Sequence, residues 1–292
     1  MKKIVVALCL LLALAHNGIQ AQSARKSGAR DAFRSSQGYI GLFGGASFSR
    51  PFVQASFSDF SLIDTENTAL VSDQKVYGPM FENRGAQFGI SGVFTFNFGV
   101  SVALSPALQV NQYVYESQFA WEDVENPANY LEFTFTHAQQ LHYFSLPLLI
   151  RYSPLKGKLR PYVQIGTHYD RLLNAQKNVR TEGLDRASGS DVAFQFSNQS
   201  SDISPLYLRS QLGLVAGAGI TYNLGTLTFC LDGQYRYGLH TITNAQTRFS
   251  GSRDIAGFGN VLDDVSLRHL QLSLGCYFPL KFLTKDFSPV IL

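Results

Sequence analysis

Beyond its first 21 residues, this chain has no apolar run near the roughly 18 residues that a membrane helix requires. Any membrane crossing must therefore be made by strands. Charge is also scarce, at 15% of 292 residues. The 24 basic residues, less Lys2 and Lys3 of the leader described below, leave 22 against 21 acidic ones, a net of +1. Nothing in that balance argues for nucleic acid. Cysteine is rarer still, at three. Cys9 lies inside the apolar leader, too early to be the lipidated Cys of a lipoprotein, and leaves with it. Cys230 and Cys276 fall on opposite faces of predicted strands, which normal disulfide geometry cannot bridge. Both are expected as free thiols with no redox or metal role.

What is present begins with an export signal. Lys2 and Lys3 precede an apolar run from Ile4 to Ala15, and Ile19-Gln20-Ala21 stands ahead of Gln22. That layout is a cleavable secretory signal over residues 1–21. Residues 22–37 are polar, with Arg25, Lys26, Arg30 and Arg34, and read as a periplasmic arm. A barrel is expected over residues 38–280, followed by a periplasmic tail over 281–292.

The barrel is read from alternation, since side chains of a strand point to opposite faces with period two. In Leu227–Leu239 the odd positions are Leu, Phe, Leu, Gly, Tyr, Tyr and Leu, and the even ones Thr, Cys, Asp, Gln, Arg and Gly. Eight strands are expected at about Gly38–Ser49, Gly85–Phe96, Val102–Phe119, Tyr130–Tyr152, Lys158–Leu173, Tyr207–Tyr222, Thr226–Thr241 and Ser266–Phe278. Pro51 should end the first, and Pro106 is tolerated near the start of the third. A parity change in the fourth suggests a bulge near His137–His142. Pro51–Arg84, Ala175–Ser204 and Thr243–Asp263 read as long loops, and the turns at Asn97-Phe98-Gly99, Ser153–Gly157 and Asn223-Leu224-Gly225 are short. The fold class is all-β, an eight-stranded antiparallel transmembrane up-and-down barrel with long extracellular loops and short periplasmic turns.

Alternation alone does not say which face is inside, and a soluble sandwich or lipocalin-like barrel would bury its apolar face. The small residues decide. In the sixth strand Leu208, Leu212, Leu214, Ala216, Ala218, Ile220 and Tyr222 oppose Arg209, Gln211, Gly213, Val215, Gly217, Gly219 and Thr221. A soluble surface has no use for that glycine run, whereas inside a tight barrel it leaves room for long polar neighbours. The interior then receives Arg151, Arg160, Gln164, His168, Asp170, Arg209, Gln211, Asp232, Gln234, Arg236, His269 and Gln271. An eight-stranded barrel is filled by its own side chains, and isolated buried ions are costly. Asp170 and Asp232 are therefore expected to partner Arg151, Arg209 and Arg236 in a polar network, which serves neither as a catalytic site nor as a cofactor site.

Other constellations are weaker. His168 and Asp170 share a face two residues apart, roughly 7 Å along a strand, and need help from another strand to make a catalytic pair; no motif supplies a nucleophile. His137 and His142 straddle the suspected bulge, which disfavours zinc. Tyr115, Trp121, Tyr130, Phe133 and Phe135 at the outer ends, and Tyr152 and Tyr162 near a periplasmic turn, are expected as membrane-interface anchors.

Three blocks resemble the PorT-like outer-membrane barrels of the Bacteroidota. Leu141–Tyr152 is similar to that family's Tyr-Leu-Glu-Ile-Pro-Leu-Leu strand, with Ser145 where an acid is common. Leu159–Gly166 is similar to its Pro-Tyr-x-x-x-Gly strand, and Gly213–Gly219 with Tyr235–Leu239 to its Gly-x-Gly and Tyr-Arg-Tyr-Gly-Leu pair. The resemblance covers about Gly38–Phe278. It implies a non-enzymatic barrel in the cell outer membrane, and for some members a part in type IX protein secretion and gliding. Two features depart from that pattern, the long loops and a chain that continues past Phe278. Expected partners are outer-membrane lipid and, through the loops or the tail, protein subunits of an envelope or secretion complex, with no cofactor. The alternatives are a stand-alone structural or surface-binding barrel, an enzyme, and, least of all, a porin, since eight strands leave no open lumen.

Overall fold

The computed structural model describes residues 37–57, 69–72, 75–96, 99–122, 126, 128–155, 157–186, 191–224, 227–248 and 261–280. The signal, the arm up to residue 36 and the tail over 281–292 lie outside the described residues. Among the described residues there are twelve strands: β1 Gln37–Ala55, β2 Ala69–Ser72, β3 Lys75–Tyr77, β4 Arg84–Thr95, β5 Val100–Leu104, β6 Ala107–Glu122, β7 Tyr130–Tyr152, β8 Leu159–Asp185, β9 Val192–Asp202, β10 Ser210–Asn223, β11 Thr228–Gly238 and β12 Asp264–Pro279.

Eight staves close into a ring in the order β1, β4, β5 with β6, β7, β8, β10, β11, β12 and back to β1, every contact antiparallel. The third stave is two strands rather than the single one expected. Pro106 has no N–H to give the ladder, so the strand breaks at Ser105-Pro106, although both pieces pair with β4 and β7. Pro51 does not end β1, which runs on to Ala55. The Ser49 N–H bonds Asn83 O on the β4 side, and the next residue on that edge, Pro51, lies beyond the end of the β4 ladder, where a missing donor costs nothing.

Parity is continuous along β7, which corrects the expectation of a bulge at His137–His142. Phe135, His137, Gln139, Leu141, Tyr143, Ser145, Leu149 and Arg151 are all buried on the inner face. The register shift lies between His142 and Tyr143, and the extra residue is Leu173 of β8. What changes along β7 is the environment. Its outward residues are Tyr152, Ile150, Leu148 and Phe144 in the lower part and then His142, Gln140, Ala138, Thr136 and Thr134. The inward ones change the other way, from Arg151 and Ser145 to Tyr143, Leu141 and Phe135. Apolar side chains point out below and in above.

The upper part is an extension of the barrel. β7 has 23 residues and β8 has 27, where roughly 9–11 suffice for a crossing. The upper half of Ala175–Ser204, expected as loop, is instead the end of β8 paired with β9. Its outward Gln176, Asn178, Arg180 and Glu182 are exposed, and their polarity hid the strand. Likewise β2 and β3, within the segment expected as loop, pair with the upper part of β6. Two cores result. The lower is largely polar, with a small apolar group around Tyr39, Leu149, Tyr162 and Val215. The upper is apolar, built from Tyr113, Tyr115, Phe135, Leu141, Tyr143, Val179, Ile203, Leu206, Tyr207, Ile242 and Leu267.

Candidate functional site

The lower lumen is filled by one connected set of side chains, most of it carried on β8, β11 and β7. Asp232 is its acceptor. Tyr162 OH donates to Oδ1 at 2.9 Å, Gln164 Nε2 to the same oxygen at 2.7 Å, and Gln234 Nε2 to Oδ2 at 2.6 Å. Arg151 Nε reaches Gln164 Oε1 at 2.9 Å and its guanidinium lies 5.0 Å from the Tyr162 ring centroid. Arg236, 1% exposed, donates to Ser145 Oγ at 2.8 Å, Gln109 Oε1 at 3.2 Å and Gln234 Oε1 at 3.3 Å. Ser145 is in turn the cross-strand neighbour of Asp170. No direct Arg–Asp pair forms among these groups; glutamines and a serine stand between the charges. That arrangement spreads each charge over several dipoles, which avoids the strict geometry a buried ion pair demands.

Arg151, Asp170, Asp232 and Arg236 therefore face the lumen and are buried. Arg209 does not join them. It lies one residue before β10 begins and is exposed at the rim, with its backbone O accepting from Leu172 N. Alternation assigns Arg209 the inward parity of Gln211, but the strand begins only at Ser210. His168 and Asp170 meet without help from another strand, Nδ1 to Oδ2 at 2.9 Å, because their side chains lean together along β8. Both are fully buried. The glycines of β10 explain how such long groups fit: a Cβ on Gly213 would collide with the His168 imidazole, and one on Gly219 with the Tyr162 ring. His137 faces inward, against Ser117 Oγ at 2.9 Å, whereas His142 faces outward, so the two cannot share an ion. Cys230 is inward and Cys276 outward, and neither is in a disulfide.

The expected aromatic anchors divide. Tyr152 is outward and exposed at the short-turn end, and Tyr130 stands at the far outer tip. Tyr115 and Phe135 instead belong to the upper core, and Tyr162 to the lumen network, because all three have inward parity. The side chain of Trp121 lies outside the described residues.

Sequence reasoning missed what closes the upper opening. Lys75 Nζ donates to Phe57 O at 2.7 Å, Val261 O at 2.5 Å and Asp263 Oδ1 at 2.8 Å, which uses all three ammonium protons. Tyr77 OH donates to Asp263 Oδ2 at 2.7 Å, and Phe57 N–H to Oδ1 at 2.9 Å. Burial, then the neighbouring Tyr113 and Asp263, raise the Tyr77 phenol well above its ordinary range, so it stays a donor. Arg248 pairs with Asp264 and lies 3.5 Å from the Phe57 ring centroid. One lysine of β3 thus ties Phe57, just after β1, to Val261 and Asp263, just before β12. No periodicity marks such a pair, since Lys75 sits on the three-residue β3 and Asp263 just before β12, far apart in sequence.

The sequence matches the family described as "Outer membrane protein beta-barrel domain" over residues 20–244. No curated protein matches it. Similar solved structures include OprG from Pseudomonas aeruginosa, at 13% identity, with 84% of this chain and 97% of that chain covered and a TM-score of 0.35. The attachment invasion locus protein Ail of Yersinia pestis, solved with a heparin analogue, is 15% identical over 84% of this chain and 99% of that chain, with a TM-score of 0.29. Neisserial surface protein A gives 12% identity, 82% and 96% coverage and a TM-score of 0.31.

Proposed function

Because the chain belongs to the outer membrane protein beta-barrel domain family, it is an integral protein of the outer membrane, and we propose that it is a closed, non-catalytic anchor whose outer half presents a protein-binding surface. The observation that carries this reading is the pair of stacked seals. A polar plug fills the lower lumen and an apolar core with the Lys75–Asp263 staple closes the upper one. Solute passage is not what such a lumen serves. Loops and edges on a rigid scaffold are where recognition is usually built, and here β2, β3, β9 and the ends of β6 to β8 stand beyond the apolar belt.

The barrel would serve as an accessory subunit of an envelope complex. The likeness to PorT-like barrels makes type IX protein secretion the complex to test first. Affinity purification of the full chain from its host, compared with variants that shorten residues 186–191 between β8 and β9 or remove residues 281–292, should lose stoichiometric partners while the barrel still inserts. A monomer with no partner in mild detergent would favour a stand-alone structural barrel. Deleting the gene should leave secreted cargo in the periplasm if the complex is the type IX machinery, and normal secretion would remove that assignment.

A further inference from the structure

The outward face just above the apolar belt carries three arginines on three adjacent strands. Arg50 of β1 is directly opposite Arg268 of β12, and Arg84 of β4 is opposite Phe48, two residues from Arg50. Below them on the same faces lie Ala46, Leu272 and Phe88, which are exposed and apolar or small. Diagonal neighbours in a sheet are about 7–8 Å apart, a gap that arginine side chains span easily.

This placement is costly for the protein alone. Like charges directly opposite on one face repel, and none of the three has an ion-pair partner among the described residues. Arg268 is also held in place. Its guanidinium lies 4.0 Å from the Phe52 ring centroid and 5.1 Å from that of Tyr237, and its Nε is buried with no acceptor. Two rings thus flank a fork whose remaining N–H groups have no acceptor among the described residues. A planar fork with neighbouring cations at the polar edge of an apolar belt suits a phosphate, which takes two parallel hydrogen bonds from one guanidinium and charge from the others. The level on the barrel settles the source. It is the outer leaflet, where the acyl chains of a lipid lie along the belt and the headgroup at its rim.

We propose that Arg50, Arg84 and Arg268 form a site for the phosphate of a phosphorylated glycolipid of the outer leaflet, a bound lipid of the barrel rather than a transient neighbour. The test uses the full mature protein in detergent. Retention of purified diphosphorylated lipid A, enzymatically dephosphorylated lipid A and inorganic phosphate is followed by native mass spectrometry. Wild type should hold the phosphorylated lipid roughly tenfold or more tightly than the dephosphorylated one, the scale expected of charge-assisted hydrogen bonds to phosphate. Substituting Arg50→Gln, Arg84→Gln and Arg268→Gln together should remove that preference, with folding checked by the shift of the unboiled barrel on a denaturing gel. The charge-matched set Arg171→Gln, Arg180→Gln and Arg209→Gln should preserve it. Equal retention of both lipids by wild type would overturn the site, as would an equal loss in the two sets of variants. Displacement of the lipid by inorganic phosphate at millimolar concentration would overturn the assignment to a lipid.

Discussion

The two halves of this barrel are built from the same strands with the same parity and opposite polarity. In the lower half Leu148, Ile150, Ile165, Leu214, Leu231 and Leu274 point outward and exposed, while Arg151, Gln164, Asp232 and Arg236 fill the lumen. In the upper half of β6, β7 and β8 the inward set is Tyr113, Tyr115, Phe135, Leu141 and Val179, and the outward set is polar. The difference shows that strand geometry fixes only which residues share a face. The surrounding solvent decides what that face is made of. Lipid below reverses the rule that water imposes above, and the change of side falls near Phe144 on β7.

The comparison breaks most visibly if the lower network loses its shared acceptor. Asp232→Ala strands Tyr162, Gln164 and Gln234 and leaves Arg151 without a compensating carboxylate. A loss of about 3–5 kcal/mol is expected, as for other unpaired buried charges, and urea unfolding in lipid vesicles would measure it. In the upper half the corresponding break is Leu141→Ala, a fully buried side chain in an apolar core. It should cost about 2–5 kcal/mol through the cavity it opens. Asp232→Leu should remain harmful and Leu141→Met should be tolerated, because only the second site is apolar.

A charge placed outward separates the halves on the outside. Leu148→Arg faces the belt and should cost about 2–4 kcal/mol if it lies near the bilayer midplane. Thr136→Arg, on the same strand and face but above the belt, should cost almost nothing. Similar values at the two positions would mean that the belt extends further up β7 than its composition implies. Lys75→Met should leave barrel insertion intact and speed protease nicking at the outer surface, since it releases the loops joined at Asp263.

The smallest expected effect concerns pH. The Ser204 hydroxyl and its backbone N–H hold the exposed Asp202 carboxyl below the usual carboxylate range. The ionised form is thus favoured in the folded state. Its contribution is present above the unfolded value of about 4 and is lost as pH falls through the lower folded value. Because Ser204 Oγ also accepts the Ala175 N–H, Asp202→Asn should slightly lower the protection of the Ala175 amide against exchange near neutral pH and flatten the loss of that protection in acid.

Much of the lower half was legible in the sequence, and little of the upper. Gly213, Gly217 and Gly219 opposite leucines and alanines mark which face of the barrel wall is inside, and their role in making room for His168, Gln164 and Tyr162 is what the structure has. The strands at Tyr130–Tyr152 and in the last stave were placed within a few residues. The upper ends of β8 and β9 were hidden because an amphipathic strand in water, with Gln176, Asn178 and Arg180 outside, looks like a polar loop when lipid-facing strands are the template. The same template turned a change of solvent along β7 into an expected bulge. Arg209 failed differently: alternation says nothing about where a strand begins, and the residue sits one position outside β10. The Lys75–Asp263 staple joins a three-residue strand to the residue before β12, too short a stretch to leave a periodic trace.

The inversion itself is tested most directly by single cysteines at the outward positions of β7, in a background with Cys230 and Cys276 replaced, each carrying an environment-sensitive probe in a reconstituted bilayer. The account predicts lipid quenching at 144, 148 and 150 and aqueous quenching at 134, 136 and 140, with the same face outward throughout. Lipid quenching that continues to 134, or a switch of the quenched face to odd positions above 142, would contradict it.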